Sequence, residues 1–97
     1  MHGSIWHLAG DADALLPRYD ALLADIGTEN MSMHLCLRAP DGLVIVDTCP
    51  SQEAFASFVT GEQFRDALQR HGLPFPDRLD DFPVHIAVSD GRVLAEA

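Results

Sequence analysis

The stretch Met31-Ser32-Met33-His34-Leu35-Cys36-Leu37-Arg38-Ala39-Pro40-Asp41-Gly42-Leu43-Val44-Ile45-Val46-Asp47-Thr48-Cys49 decides the fold. Its first half alternates apolar and polar residues with period two, the mark of a strand with two unlike sides. Ala39-Pro40-Asp41-Gly42 carries the residues of a tight turn, and Leu43 to Cys49 is rich in β-branched residues. The stretch therefore predicts an antiparallel hairpin. A loop of two or four residues puts His34, Cys36 and Arg38 on one face with Ile45, Asp47 and Cys49. Met31, Met33, Leu35 and Leu37 then share the opposite face with Val44, Val46 and Thr48. The oily face is expected to receive helices, which leaves imidazole, thiol, carboxylate and guanidinium groups together on the other.

Upstream, Ile5-Trp6-His7-Leu8-Ala9 reads as a first strand. Turning Trp6 and Leu8 inward buries the most apolar area, worth about 25 cal/mol per Å², so His7 is placed on the polar face. From Asp11 the period becomes helical: Leu15, Tyr19, Leu22 and Ile26 form a stripe widened by Leu16 and Leu23. Pro17 predicts a kink, or a helix that starts near Leu16. Gly27 to Asn30 leads into the hairpin.

Downstream, Ser51 is placed as an N-cap for a helix with Phe55, Phe58 and Val59 inward. Thr60 and Gln63 match a capping box that starts a second helical segment. Phe64 and Leu68 continue its stripe up to a C-terminal glycine, Gly72. Leu73 to Pro83 is expected as an irregular connection. Pro83 to Val88 is expected as the fourth strand, with Val84, Ile86 and Val88 inward and His85 outward. Arg92 to Ala95 is expected as a short added strand.

The predicted order is βαββαβ. With right-handed crossovers it gives one ferredoxin-like α+β domain over residues 1–97, a four-stranded antiparallel sheet with its helices on one face. The opposite face is too apolar for a solvated surface and too polar for a dry core. It suits the wall of a partly wet pocket that a homodimer would enclose for a small-molecule substrate or ligand.

Composition narrows the function. A formal charge of −9, with six cations that are all arginine and unclustered, argues against nucleic acid. The sequence has no apolar run of about eighteen residues for a membrane span and no pattern of a secretory leader. Cys36 and Cys49 are offset too far along neighbouring strands for a disulfide. A cytoplasmic setting, with both thiols free, is expected.

The run Asp47-Thr48-Cys49-Pro50-Ser51-Gln52-Glu53-Ala54-Phe55-Ala56-Ser57-Phe58, followed by Phe64 and Arg65, resembles the strand-to-helix segment of the antibiotic biosynthesis monooxygenase group within the dimeric α+β barrel superfamily. Asp47, Ser51, Glu53, Ala54 and Phe55 match that segment. The family tryptophan falls on Cys49 and the family histidine on Phe58. The resemblance implies a homodimer with an enclosed pocket and a place among cofactor-free oxygenases, cyclases and isomerases of secondary metabolism. Phe58 in place of the histidine implies that haem is not held in the manner of the haem-degrading members.

The chemistry expected is acid–base catalysis by His34, His7, His85 and Asp47, brought together from different strands. Cys36, Arg38, Ile45, Cys49 and Ile5 are expected to contact substrate, and this chemistry calls for no cofactor. Two alternatives compete with it. One is a non-catalytic ligand-binding or stress-type dimer, and the other is a metal site made from the three histidines.

Overall fold

The computed structural model of the protein describes residues 1–29 and 31–96. Asn30, the last residue of the expected lead-in to the hairpin, lies outside the described residues, as does Ala97. The elements are β1 (His2–Ala9), α1 (Ala12–Ile26), β2 (His34–Ala39), β3 (Gly42–Cys49), α2 (Gln52–Thr60), α3 (Glu62–Arg70), β4 (Arg78–Pro83), β5 (Ile86–Ser89) and β6 (Arg92–Glu96). Strands β2-β3-β1-β4 form an antiparallel sheet, and β5 and β6 form a separate hairpin. This is the expected ferredoxin-like α+β plan with one appended hairpin.

The fourth sheet strand is the main correction to the element boundaries. It spans Arg78–Pro83 rather than Pro83 to Val88, so part of the expected connection is strand. Its Leu79 is flanked by Arg78, Asp80 and Asp81, which hides the strand from a hydrophobicity reading. Its position at the sheet edge tolerates Pro83, since an edge residue need not donate to a neighbour. Ile86–Ser89 pairs instead with β6 through Asp90 and Gly91, both at positive φ (52° and 75°). Two positive φ values are what a two-residue hairpin turn matched to strand twist requires.

Ser51 caps α2 as expected, its hydroxyl accepting from the Ala54 amide at 3.1 Å. The capping box expected at Thr60 and Gln63 is not formed. Gly61 is the N-cap of α3, and the Thr60 hydroxyl donates back to the Ala56 carbonyl at 2.6 Å. Gly72, at φ +69°, closes α3: its amide donates to the Gln69 carbonyl and that of Leu73 to the Leu68 carbonyl, the paired bonds of a Schellman cap. Pro17 neither starts nor breaks α1, which runs unbroken from Ala12. Its cost is the bond its missing N–H would make to the Asp13 carbonyl.

The core lies between helices and sheet. Leu15, Tyr19 and Leu22 of α1 and Phe64, Ala67 and Leu68 of α3 pack on Trp6, Leu8, Leu43 and Ile45. Ile26, expected in the α1 stripe, is exposed. The sheet face beneath the helices is the second correction. Trp6 pairs with Ile45 and Leu8 with Leu43, so the inward side of β1 carries the odd-numbered residues of β3. Through Cys36↔Ile45 it also carries the even-numbered residues of β2. The hairpin register is therefore the expected one, but the hairpin is turned over. His34, Cys36, Ile45, Asp47 and Cys49 look at the helices, while Leu35, Leu37, Val44 and Val46 look away from them.

Candidate active site on the helix face of the sheet

The register sets one polar row across all four strands. His34 of β2 stands opposite Asp47 of β3, Asp47 opposite Ser4 of β1, and Ser4 opposite Asp81 of β4. The row lies one step beyond the apolar row Cys36, Ile45, Trp6 and Leu79, on the same face.

At one end, His34 is held from both sides. Its Nδ1 lies 3.1 Å from Asp47 Oδ1, and Tyr19 of α1 hydrogen-bonds to its Nε2. With the phenol donating, the imidazole accepts at Nε2 and donates from Nδ1 to the carboxylate. Burial, reinforced by the nearby charges of Cys36, Asp47 and Asp20, pushes the Tyr19 phenol above its ordinary range and keeps that donor in place. The two rings stack at an interplanar angle of 11°. At the other end, buried His2 sets Nε2 2.6 Å from Asp81 Oδ2, and its ring packs on Phe55 of α2.

Ser4, Asp47 and Cys49 supply the polar wall of a cavity of about 30 Å³ whose other walls include Trp6, Phe55, Phe64 and Leu79. That is room for water and not for an organic substrate. A cleft of about 440 Å³ lies outside it between α1 and α3, lined by Leu22, Ile26, Gln63 and Ala67, and the two spaces share Trp6, Phe58 and Phe64. Phe64 meets Phe58 at 4.8 Å and Trp6 edge-on at 5.5 Å. These three rings are the partition between a ligand-sized cleft and the polar row.

The structure brings together His34 and Asp47 and separates the other expected partners. His7 faces away from the helices, with Nδ1 2.6 Å from Asp77 and Nε2 3.1 Å from Asp41. His85 lies between β4 and β5, where with Ile5, Val46 and Phe82 it borders an open concavity of about 400 Å³ that also touches Asp47. The three histidines therefore do not converge, and among the described residues no group of three or more His, Cys, Asp or Glu side chains could hold a metal ion. Ile45 is fully buried core and Ile5 lies on the opposite face, so neither shares the helix-side cavity. Arg38, expected to contact substrate, pairs instead with Asp13 of α1. Cys36 packs against the core, and burial raises both thiols above their ordinary value, the opposite of an activated nucleophile. Sequence reasoning missed His2, Ser4, Tyr19 and Asp81. His2 and Ser4 share the parity of Trp6 and Leu8, and Tyr19 is the one polar member of its stripe.

His7 carries a pH effect of its own. Two carboxylates on its two nitrogens require both to donate, and hydrogen bonding to Asp77, followed by Asp41, raises its pKa above 6.5. Arg78, its cross-strand partner, and Asp80 complete the charged surroundings. The stability it contributes is complete below the unfolded value and is lost as pH rises through the raised folded value. Thermal melts of wild type and His7→Gln should therefore differ most at mildly acidic pH and converge as pH rises. A constant difference would mean that the clamp does not titrate.

No family model matches the chain, and no curated protein matches it. The chain is similar to a crystal structure of a candidate antibiotic biosynthesis monooxygenase from Chloroflexus aurantiacus J-10-fl, with TM-score 0.56 and 17% sequence identity over 86% of this chain and 92% of that one. At that identity the likeness establishes a shared fold.

Proposed function

We propose that the protein is a small-molecule enzyme that takes a proton from a phenolic or polyketide-like substrate, in the manner of cofactor-free monooxygenases and polyketide cyclases. The observation that carries this reading is the chain Tyr19–His34–Asp47, which ends with a carboxylate in the wall of an aromatic cavity. Asp47 is the base. His34 and Tyr19 are positioning residues, since both ring nitrogens of His34 are occupied and only Asp47 reaches the cavity. A flat aromatic ligand enters from the cleft between α1 and α3 by displacing Phe58 and Phe64. The carbanion formed when Asp47 takes the proton then closes onto a carbonyl of the same molecule or reacts with dioxygen.

The fold neighbour supports this reading, being itself described as a candidate monooxygenase. A homodimer is part of it: Ile5, Leu35, Leu37 and Phe82 are each about half exposed or more on the open sheet face, and a second copy would cover them. Secondary metabolism and a cytoplasmic setting complete the proposal.

The experiment is hydrogen–deuterium exchange at C1 of 2-tetralone in D2O, followed by NMR, together with binding of its enol mimic 2-naphthol. Exchange faster than buffer supports an enzyme. Binding of 2-naphthol with no acceleration would point to a ligand-binding dimer instead.

A further inference from the structure

We propose that His2, held by Asp81, is the acid that complements Asp47, so that the site performs enolisation with a base acting at the α-carbon and an acid at the oxygen of one carbonyl substrate. This rests on the reading of Asp47 as base. Three observations carry it. His2 is buried at 5% exposure, on the same face of β1 as Ser4 and Trp6, both of which line the cavity. Its described hydrogen bond uses Nε2 alone, 2.6 Å from Asp81, whereas His34 has both nitrogens engaged. Its ring also lies against Phe55, 5.8 Å between centroids, and Phe55 is part of the cavity wall.

Register supplies the spacing. His2 pairs with Cys49 and Ser4 with Asp47, so His2 and Asp47 are diagonal neighbours across β1 and β3, about 7–8 Å apart at the backbone. Two side chains reaching inward from that separation can serve atoms two bonds apart, such as an α-carbon and the oxygen of the carbonyl beside it.

The step balances without an oxidant. Asp47 takes the proton from the α-carbon, and the C–H electron pair becomes the new C=C bond. The carbonyl π pair moves to oxygen, which takes a proton from protonated His2 at Nδ1, and the N–H pair stays on nitrogen. Asp81 keeps its bond to Nε2 throughout. The reverse step returns both protons. The substrate class is a ketone with an acidic C–H next to the carbonyl and an aromatic or other flat body for the phenylalanine-lined entrance.

The test is the C1 exchange of 2-tetralone at one pH, in wild type, His2→Gln, Asp81→Asn and Asp47→Asn. A general acid contributes about 10²–10⁴-fold. His2→Gln is expected to lower kcat by about 10²-fold with KM little changed. Asp81→Asn, which weakens the hold on Nε2, is expected to lower kcat by less. A merely structural anchoring of β1 would lower the melting temperature and leave kcat of the folded fraction intact. Because either variant can loosen β1, the imidazole nitrogens of folded wild type are also followed by ¹⁵N NMR during addition of 2-naphthol. His2 and His34 should both shift, while His7 and His71 stay in place. Unchanged kcat in His2→Gln, or a shift at His34 without one at His2, overturns the inference and leaves Asp47 as base. Exchange that survives in Asp47→Asn, or is absent from wild type, overturns the reading beneath it.

Discussion

Replacing Gly42 by alanine is expected to cost about 3 kcal/mol or more, a large share of the roughly 5–15 kcal/mol that holds a small domain together. Gly42 has φ +148° and pairs with Ala9 where β1 and β3 meet. A methyl group there would collide with the Leu8 carbonyl, 3.0 Å from its carbon, and would stand 3.2 Å from the Ala9 Cα. Both neighbours are backbone of the central strand, so no side chain can swing aside to make room. Alanine must push β1 off β3, and with it Trp6 and Leu8, which anchor the core and the cavity. Gly91 is the control. It has φ +75°, and a methyl group on its Cα would meet nothing within 4 Å, so Gly91→Ala carries backbone strain alone, about 1 kcal/mol at the low end for such conformations. Urea denaturation of both variants checks the comparison. Equal losses would mean that β1 does not approach the hairpin turn as described.

The second large effect concerns chemistry. Asp47→Asn preserves shape and still accepts from His34 Nδ1 through the amide oxygen, so the fold should be nearly unaffected. It cannot take a proton. Exchange at C1 of 2-tetralone should therefore fall by about 10²–10⁴-fold, the range a positioned base contributes. Tyr19→Phe, which removes only the donor to His34 Nε2, should fall by less, because Asp47 keeps its carboxylate. An Asp47→Asn variant as fast as wild type, with an unchanged melting temperature, would remove Asp47 from the mechanism.

Much of this arrangement is legible in the sequence. The turn at Pro40-Asp41 and the parity of the hairpin predict the pairing of His34 with Asp47, and the order of elements predicts the sheet. Which hairpin face lies beneath the helices is not legible there. Leu43 and Ile45 are as apolar as Val44 and Val46, and Leu35 and Leu37 compete with Cys36, so both faces qualify for burial and alternation cannot choose between them. The choice is made by β1, whose Trp6 and Leu8 pair with Ile45 and Leu43. That one inversion moves the site from the open face to the helix face and separates His7 from His34. The second loss is β4. Acidic residues around Leu79 conceal the strand, and with it the partner of His2.

All the proposed chemistry depends on a ligand site that lies between sheet and helices. A side-chain NMR map of the protein titrated with 2-naphthol tests that placement most directly. Shifts are expected at Trp6, Phe64, Leu22 and Leu79, with Ile5, Leu35 and Val44 unmoved. Shifts confined to Ile5, Leu35 and Val44 would place the ligand on the open sheet face and contradict it.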